Sequence, residues 1–254
     1  MSDASVLIEQ HNRVLVITLN RPQARNAINR AMAIGIAAAV DRLDSDPELA
    51  VGILAGNGQA FSSGMDLKAF LLGESPMIEG RGLAGITETP PKKPLIAAVD
   101  GFALAGGCEL ALACDMIVAS QNASFGVPEV KRGLIAGGGG VVNLPRRIPR
   151  GIAMEIILTG APVSAARAYE IGLVNRITDG SALDEALSLA GAIAENAPLA
   201  VQISKQVVLQ SQDWDLSELY SRQNELIAPV FASKDAQEGA AAFAQKRQPV
   251  WRGE

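Results

Sequence analysis

The order of apolar patterns along the chain restricts its fold more than any other feature. Up to about residue 180, short runs rich in β-branched residues alternate with stretches of helical periodicity. Beyond that point only helical patterns remain. Strands mixed with helices and then helices alone predict an α/β core over residues 1–195 and a helical C-terminal region over residues 196–254. The strand runs are 6–9, 14–19, 51–55, 95–99, 116–119 and 173–177, and the C-terminal helical runs are 182–196, 198–211, 214–229 and 234–247.

Turn residues and helix-cap residues predict a hairpin turn, a loop and the starts of helices along the chain. The polar stretch 10–13 predicts a hairpin turn, and Asn29 can cap a helix that continues to about Leu43. The segment 73–94 contains four prolines and four glycines, which predicts a loop around a short helix at 82–87. A further helix is predicted to open at the glycine pair after Ala105 and to continue to about residue 113.

The chain has 254 residues, of which 48% are hydrophobic and only one is histidine. This length and composition suit one large domain, or one domain with an appendage. Because His11 stands alone, neither a multi-histidine metal site nor a histidine-based triad is favoured. We therefore expect acid–base chemistry to depend on carboxylates, Lys, Tyr or Cys.

The charge and cysteine patterns limit the partners and the compartment. The net charge is −5 and no basic run exceeds two residues, so we expect no nucleic-acid partner. Cys108 and Cys114 match no zinc or redox spacing, which favours two buried thiols in a reduced compartment. No continuous apolar span and no signal-peptide pattern occur, so a cytoplasmic protein without membrane contact is expected.

Two glycine-containing turns each lead into a predicted helix. One covers residues 62–67 and the other covers residues 105–109. Free backbone N–H groups at such turns can bind an oxygen that gains negative charge, so two converging turns could form an oxyanion hole. The alternative is that these glycines only permit close packing of the backbone.

Two glutamates are candidates for acid–base catalysis. Glu109 lies among Cys, Leu and Ala, where a charge is costly to bury, although an exposed helix position would also fit. Glu129 precedes Lys131 and Arg132, so a surface ion pair is its alternative. A carboxylate pair beside an oxyanion hole could supply both an acid and a base without histidine.

Ordered motifs along nearly the whole chain resemble the crotonase (enoyl-CoA hydratase/isomerase) superfamily. The motifs are LNRP at 19–22 followed by Asn26-Ala27, FSSGMDLK at 61–68, KPLIAAVDG at 93–101, AGGCELA at 105–111, FGVPE at 125–129, LTG at 158–160, GLV at 172–174 and AFAQKR at 242–247. The resemblance implies an α/β spiral of ββα units that forms two packed sheets. It also implies C-terminal helices that mediate homotrimers, commonly paired into homohexamers.

The resemblance further implies an acyl-CoA thioester substrate and a set of site residues. Because CoA is part of that substrate, no separate cofactor and no metal are expected. The oxyanion hole would consist of the backbone N–H groups of Met65 and Gly106. Contacts with substrate or CoA are implied at Ala24, Arg25, Met65, Asp66, Leu67 and Lys68, and across a subunit boundary at Phe243 and Lys246.

Both catalytic carboxylates of the hydratases are matched, by Glu109 and Glu129. The implied reaction is reversible hydration of a trans-2-enoyl-CoA: Glu109 activates a water that attacks the β-carbon, and Glu129 gives a proton to the α-carbon. The alternatives are an enoyl-CoA isomerase, a specialised dehydratase such as one for carnitinyl-CoA, or a non-catalytic relative that binds acyl-CoA or RNA.

The chain departs from the family pattern at two places, and the second lies near the implied acyl pocket. Ala105 stands where a third glycine is frequent, and Ile-Ala-Gly-Gly at 135–138 replaces a common Ile-Pro-Gly-Ala. The second departure predicts a substrate choice different from that of short-chain fatty acyl hydratases, and the loop 73–92 is expected to shape the same pocket.

Overall fold

A computed structural model describes residues 4–254 of the protein. Its strands are β1 (Val6–His11), β2 (Val14–Leu19), β3 (Val51–Gly56), β4 (Met77–Ile78), β5 (Gly82–Leu83), β6 (Leu95–Val99), β7 (Phe102–Leu104), β8 (Met116–Ser120), β9 (Ser124–Gly126), β10 (Val163–Ser164) and β11 (Arg176–Thr178). Its α-helices are α1 (Arg30–Ser45), α2 (Leu67–Leu71), α3 (Gly106–Ala113), α4 (Gly140–Arg147), α5 (Arg150–Thr159), α6 (Ala165–Glu170), α7 (Ala182–Ala194), α8 (Pro198–Gln210), α9 (Leu219–Phe231) and α10 (Lys234–Gln245). Short 3-10 helices cover Pro22–Ala24, Pro128–Arg132 and Ser211–Asp213.

The main sheet has six strands in the order β1-β2-β3-β6-β8-β11. Only the β1–β2 hairpin is antiparallel, and every other neighbouring pair runs parallel. Parallel neighbours need crossover connections, which here contain helices. The α/β class predicted from the pattern of strands and helices is confirmed.

A second sheet, in the order β10-β9-β7, shows that the chain repeats a ββα unit. β6 joins the main sheet, β7 joins the second sheet, and α3 follows; β8 and β9 repeat this pattern before the helix Pro128–Arg132. An isolated bridge between Ser62 and Ala103 places the segment after β3 beside β7 in the same way. These repeats confirm the crotonase-type spiral.

The main sheet is buried on both faces. One face packs on α7 through Ala182, Ala186 and Ala190, whose spacing of four places small side chains on one side of the helix. The other face belongs to the larger core, which includes α1 and α3. Burial on both faces explains why the central strands appear as continuous apolar runs rather than as alternating patterns.

Four local predictions were wrong. β1 continues to His11, so the histidine ends a strand and the turn contains only residues 12 and 13, with Asn12 at φ 53°. The helix predicted at 82–87 is absent: Gly82–Leu83 pairs with Met77–Ile78 as a two-stranded hairpin, and two glycines have positive φ there. The strand predicted at 173–177 is short and begins at Arg176, and α9 begins at residue 219 instead of 214.

The helical C-terminal region is attached to the core by a nearly buried ion pair. Lys205 of α8 lies 2.7 Å from Asp115 and also donates to the carbonyl of Lys93 at 2.9 Å. The same Asp115 oxygen accepts the amide of Leu95 at 2.7 Å, so one carboxylate connects α8 with the start of β6. A boundary at residue 195, and oligomerisation through the segment after it, remain predictions.

Among residues 4–254, no single helix has the length and apolar character to cross a membrane. The segments Ala182–Ala194 and Pro198–Asp213 meet those two criteria only when taken together, across a bend of 109°.

The first prediction concerns the Lys205–Asp115 pair. Replacing Lys205 with Met removes the cation beside Asp115, and at 9% and 18% exposure the two side chains have lost most of their contact with water. We expect the free energy of unfolding to fall by about 3 kcal/mol, measured by urea denaturation. Arg222→Met is the control, since it removes an ion pair whose side chains are half exposed, and it should cost less than about 1 kcal/mol. Equal losses in both variants would contradict the prediction.

Candidate active site

A cavity of about 620 Å³ lies where the first turn of α3 meets the segment before α2 and the 3-10 helix Pro128–Arg132. The four residues predicted to carry the chemistry all line it: Met65, Gly106, Glu109 and Glu129. Most of the remaining lining is apolar, and it includes Leu67, Phe70, Met77, Leu83, Phe102, Leu104, Leu134 and Ile135. The structure therefore brings the two turns and the two carboxylates together.

The turn that carries Met65 is positioned by a buried asparagine. The side-chain oxygen of Asn26 accepts a hydrogen bond from the amide of Arg21 at 2.8 Å. Its side-chain nitrogen donates to the carbonyls of Asn57 and Ala60 at 2.9 and 2.8 Å. The backbone carbonyl of Asn26 accepts a hydrogen bond from the Ser62 hydroxyl at 2.8 Å. The same hydroxyl oxygen accepts a hydrogen bond from the amide of Gly64 at 3.1 Å. These bonds satisfy the buried polar groups and hold the backbone that leads to Met65.

The turn that carries Gly106 has an unusual backbone. Ala105, the N-cap of α3, has φ 51° and ψ −128°, a region that glycine occupies far more readily. This conformation explains why a third glycine is frequent at the position. The amide of Ala105 donates to Gly126 at 2.9 Å, and its carbonyl accepts the amide of Glu109 at 3.0 Å, so both sides of the turn are fixed.

The amides of Met65 and Gly106 face the same small space. A Cβ atom on Gly64 would lie 2.8 Å from the nitrogen of Gly106, and a Cβ atom on Gly106 would lie 3.3 Å from the nitrogen of Met65. Within residues 4–254, no hydrogen bond from either amide is found. Two converging free donors at the start of a helix are suited to bind an oxygen that becomes negatively charged.

Glu109 is only 4% exposed and lies in the first turn of α3. Its Oε1 atom accepts the amide of Gly140 at 2.9 Å. Burial raises the pKa of Glu109 to about 7, and the nearby Glu129 raises it further, whereas the amides of Gly140 and Gly138 act against the shift. A carboxyl group with a pKa near neutrality can accept or donate a proton at physiological pH.

Glu129 follows Pro128 at the start of its 3-10 helix and is half-buried. Burial also raises the pKa of Glu129, and its own amide only partly offsets this effect. Among the described residues, its Oε2 atom is the one buried side-chain oxygen without a hydrogen-bond partner. Glu129 lines the cavity, and this buried oxygen makes no hydrogen bond that serves the fold.

The other predicted substrate contacts divide into two groups. Arg25 and Leu67 line the cavity, whereas Ala24 and Lys68 do not. The carboxylate of Asp66 lies 2.9 Å from Arg21 and caps α2 through the amides of Lys68 and Ala69. Burial acts to raise the pKa of Asp66, but the bond from Arg21 and the capping amides outweigh it and hold that pKa below its usual range.

The C-terminal candidates lie away from the cavity. Phe243 is 88% exposed on α10, and Lys246 ends that helix with φ 53°. Neither lines the cavity within one chain, so their contact with a neighbouring subunit's CoA remains a prediction.

The glycine run before α4 supports the site in a way that the sequence did not reveal. A Cβ atom on Gly138 would lie 2.7 Å from Oε2 of Glu109, and one on Gly140 would lie 3.1 Å from Oε1. These glycines therefore give the buried carboxylate its space as well as an amide donor. Their signal in the sequence was four consecutive glycines, but nothing there connected them with a residue thirty positions earlier.

The cysteines and the histidine are outside this chemistry. Cys108 and Cys114 are buried free thiols, and burial raises the pKa of each to about 12. His11 lies 3.5 Å from Glu9 on the half-exposed hairpin. No three His, Cys, Asp or Glu residues between positions 4 and 254 cluster in a way that could hold a metal ion.

Comparison with known proteins agrees with this geometry. A family model described as enoyl-CoA hydratase/isomerase matches residues 9–254. The chain belongs to that family. It is therefore an enzyme fold of the crotonase superfamily, as the motifs predicted.

Similar proteins include hydratases and dehydratases of acyl-CoA thioesters. A crystal structure of an enoyl-CoA hydratase from Mycobacterium marinum has a TM-score of 0.98 and 55% identity, over 99% of this chain and 100% of that one. A 2,3-dehydroadipyl-CoA hydratase from Escherichia coli K12 is 36% identical, over 98% of this chain and 99% of the relative. A carnitinyl-CoA dehydratase from Salmonella enteritidis is 42% identical over 98% of both chains.

The second prediction tests the space between the two turns. Gly64 has φ +94°, and a methyl group there would lie 2.7 Å from Cβ of Ala105 and 2.8 Å from the Gly106 amide nitrogen. Gly64→Ala should therefore displace the amide pair and reduce kcat on the order of 100-fold. Gly73→Ala is the matched control because Gly73 has φ +84° and open space around it. The control should lose about 1 kcal/mol of stability and keep its activity; full activity in Gly64→Ala would contradict the assignment.

The third prediction concerns the burial of Glu109. Its pKa in the folded protein lies above the unfolded value, so its favourable contribution is present below about pH 4.5 and is lost as the pH rises through about 7. Glu109→Gln should raise the free energy of unfolding by up to about 3 kcal/mol at pH 8 and change it little at pH 4, measured by denaturant titration. A gain of equal size at both pH values would contradict the shifted pKa.

Proposed function

We propose that the protein catalyses the reversible hydration of a trans-2-enoyl-CoA thioester. The observation that carries this proposal is the presence of two half-buried or buried carboxyl groups in the same cavity as two converging, free backbone amides. Hydration needs one group to activate water, one to deliver a proton, and donors that stabilise the negative charge on the thioester oxygen. The cavity supplies each of these from a different structural element.

In the proposed reaction, the thioester carbonyl oxygen accepts hydrogen bonds from the amides of Met65 and Gly106. Ionised Glu109 takes a proton from a water molecule while the oxygen of that water attacks the β-carbon of the substrate. The electron pair of the double bond moves towards the thioester oxygen, where the two amides stabilise the enolate; one such donor is typically worth about 3–4 kcal/mol. Glu129 then donates its proton to the α-carbon.

The titration of the two carboxyl groups supports this proposal. Both pKa values lie above the usual range of glutamate because both groups are buried. The charge of Glu129 also raises the pKa of Glu109, so the pair tends to keep one proton between its two members. A pair that holds one proton suits a reversible hydration, since the direction of the reaction decides which carboxyl group starts protonated.

A specialised dehydration is the second candidate, because carnitinyl-CoA dehydratases are among the similar proteins. The same two carboxyl groups and amides would catalyse that reaction in the reverse direction, on a 3-hydroxyacyl-CoA. A panel of enoyl-CoA and 3-hydroxyacyl-CoA substrates, with products identified by mass, separates the two candidates. In either case CoA enters as part of the substrate, and we propose no further cofactor.

We also propose that the protein acts as a homotrimer or homohexamer in the cytoplasm. The exposed Phe243 and the helix end at Lys246 are the residues through which a neighbouring subunit would contact CoA. Sedimentation of the purified protein measures the assembly directly.

The fourth prediction tests the two carboxyl groups. Glu109→Gln and Glu129→Gln should each lower kcat by about 10²–10⁴-fold, followed as the loss of enoyl-thioester absorbance. The pH profile of kcat/KM in the unaltered protein should have a maximum, since the pair must hold one proton: both groups are protonated at low pH and both are ionised at high pH.

The matched control for these variants is Glu155→Gln, which changes an exposed carboxylate on α5. Its activity should equal that of the unaltered protein. Undiminished hydration by either active-site variant would overturn the two-carboxylate mechanism, and isomerisation that needs Glu129 but not Glu109 would favour an isomerase.

A further inference from the structure

The cavity contains a cation that the reaction does not use. Arg132 lines the cavity together with Glu109 and Glu129. Within the part of the chain that the structure describes, the Arg132 guanidinium forms no ion pair and donates no side-chain hydrogen bond. Arg132 is solvent-exposed where it lines the cavity, and without a carboxylate partner its guanidinium is available to an anion from outside the chain.

The helix geometry places this cation on the side of the reacting groups. Glu129 and Arg132 are three residues apart on one 3-10 helix, where side chains at i and i+3 leave the same face. Their Cα atoms are displaced by ~6 Å along the helix axis, since such a helix rises ~2.0 Å per residue. No ion pair forms between the two side chains, so the guanidinium does not neutralise Glu129.

The neighbouring lysine has a different position. Cε of Lys131 lies close to Gly160 at the end of α5, 3.2 Å from the place that a Cβ atom on Gly160 would take. Lys131 does not line the cavity. The two consecutive cations of this short helix therefore have different surroundings. Of the two, Arg132 lines the cavity and Lys131 does not.

The rest of this side of the cavity is apolar. Met77 and Leu83 come from the hairpin of β4 and β5, and Leu134 and Ile135 follow the 3-10 helix. The second cation of the lining, Arg25, belongs to the opposite segment, where its carbonyl accepts the amide of Ser63 at 3.0 Å. This part of the cavity lining thus combines apolar side chains with the positive charge of Arg132.

We propose that Arg132 binds a carboxylate at the distal end of the acyl chain, so that the preferred substrates are 2-enoyl-CoA thioesters of dicarboxylic acids. This inference rests on the proposed hydratase function. The planar guanidinium can bind both oxygens of a carboxylate in a fixed geometry. The charge also disfavours an acyl chain that ends in a cation.

The test compares two 2-enoyl-CoA substrates of equal chain length, one ending in a carboxylate and one in a methyl group. The measured quantity is the ratio of their kcat/KM values, because this ratio cancels effects on the common CoA and thioester contacts. The unaltered protein should prefer the carboxylate. Arg132→Gln should lower the ratio at least ~10-fold, Arg132→Lys should lower it less, and the matched control Lys131→Gln should leave it unchanged.

Three results would overturn the inference. An equal loss for both substrates in Arg132→Gln would show that the arginine binds a phosphate of CoA. An unchanged ratio would show that it binds neither, and preference of the unaltered protein for a trimethylammonium-ended chain would show the opposite charge selectivity. If the unaltered protein hydrates neither substrate, the proposed function itself fails, which this comparison distinguishes from a failure at Arg132.

Discussion

The site depends on the close contact between the backbone around Ser62–Gly64 and the start of α3. The carbonyl of Ser62 accepts the amide of Leu104 at 3.0 Å, and a Cβ atom on Gly107 would lie only 2.4 Å from that same carbonyl oxygen. At this separation no side chain fits between the two segments. The contact sets the distance between the two free amides, and because α3 begins there, it also fixes the direction in which Glu109 leaves the helix.

Glu109 shows how the fold tolerates a group that weakens it. A carboxylate that is 4% exposed loses most of its hydration, and only the amides of Gly138 and Gly140 compensate directly. The result is a raised pKa, which is unfavourable for stability at neutral pH and favourable for proton transfer. The glycine run and the helix start therefore act as one unit, although the ββα repeat of β8, β9 and the 3-10 helix lies between them in the chain.

The sequence predicted the class of the fold and the composition of the site, but not its distances. The long strands were visible because burial on both faces makes them continuous apolar runs, as in 95–99. The sequence does not predict β7 and β9, because three residues are too few to show a period. The helix predicted at 82–87 is a hairpin in the structure, because the glycines of this segment carry no signal that distinguishes the two. The motifs predicted Glu109 and Glu129 as site residues. The contact of Gly138 and Gly140 with the Glu109 carboxylate joins distant parts of the chain, and local sequence does not encode it. The position of Asp66 before a predicted helix is typical of a helix cap, which is its role in α2, whereas the motif implied a contact with substrate.

The hairpin of β4 and β5 belongs to neither of the two larger sheets. Two of its own side chains, those of Met77 and Leu83, nevertheless form part of the cavity wall. The amide pair and the carboxyl groups come from the ββα repeats, which the main core holds in place. Changes in the hairpin can therefore alter the wall of the cavity while the amide pair and the carboxyl groups keep their positions. The shape of the cavity and the position of its polar groups thus depend on separate parts of the chain.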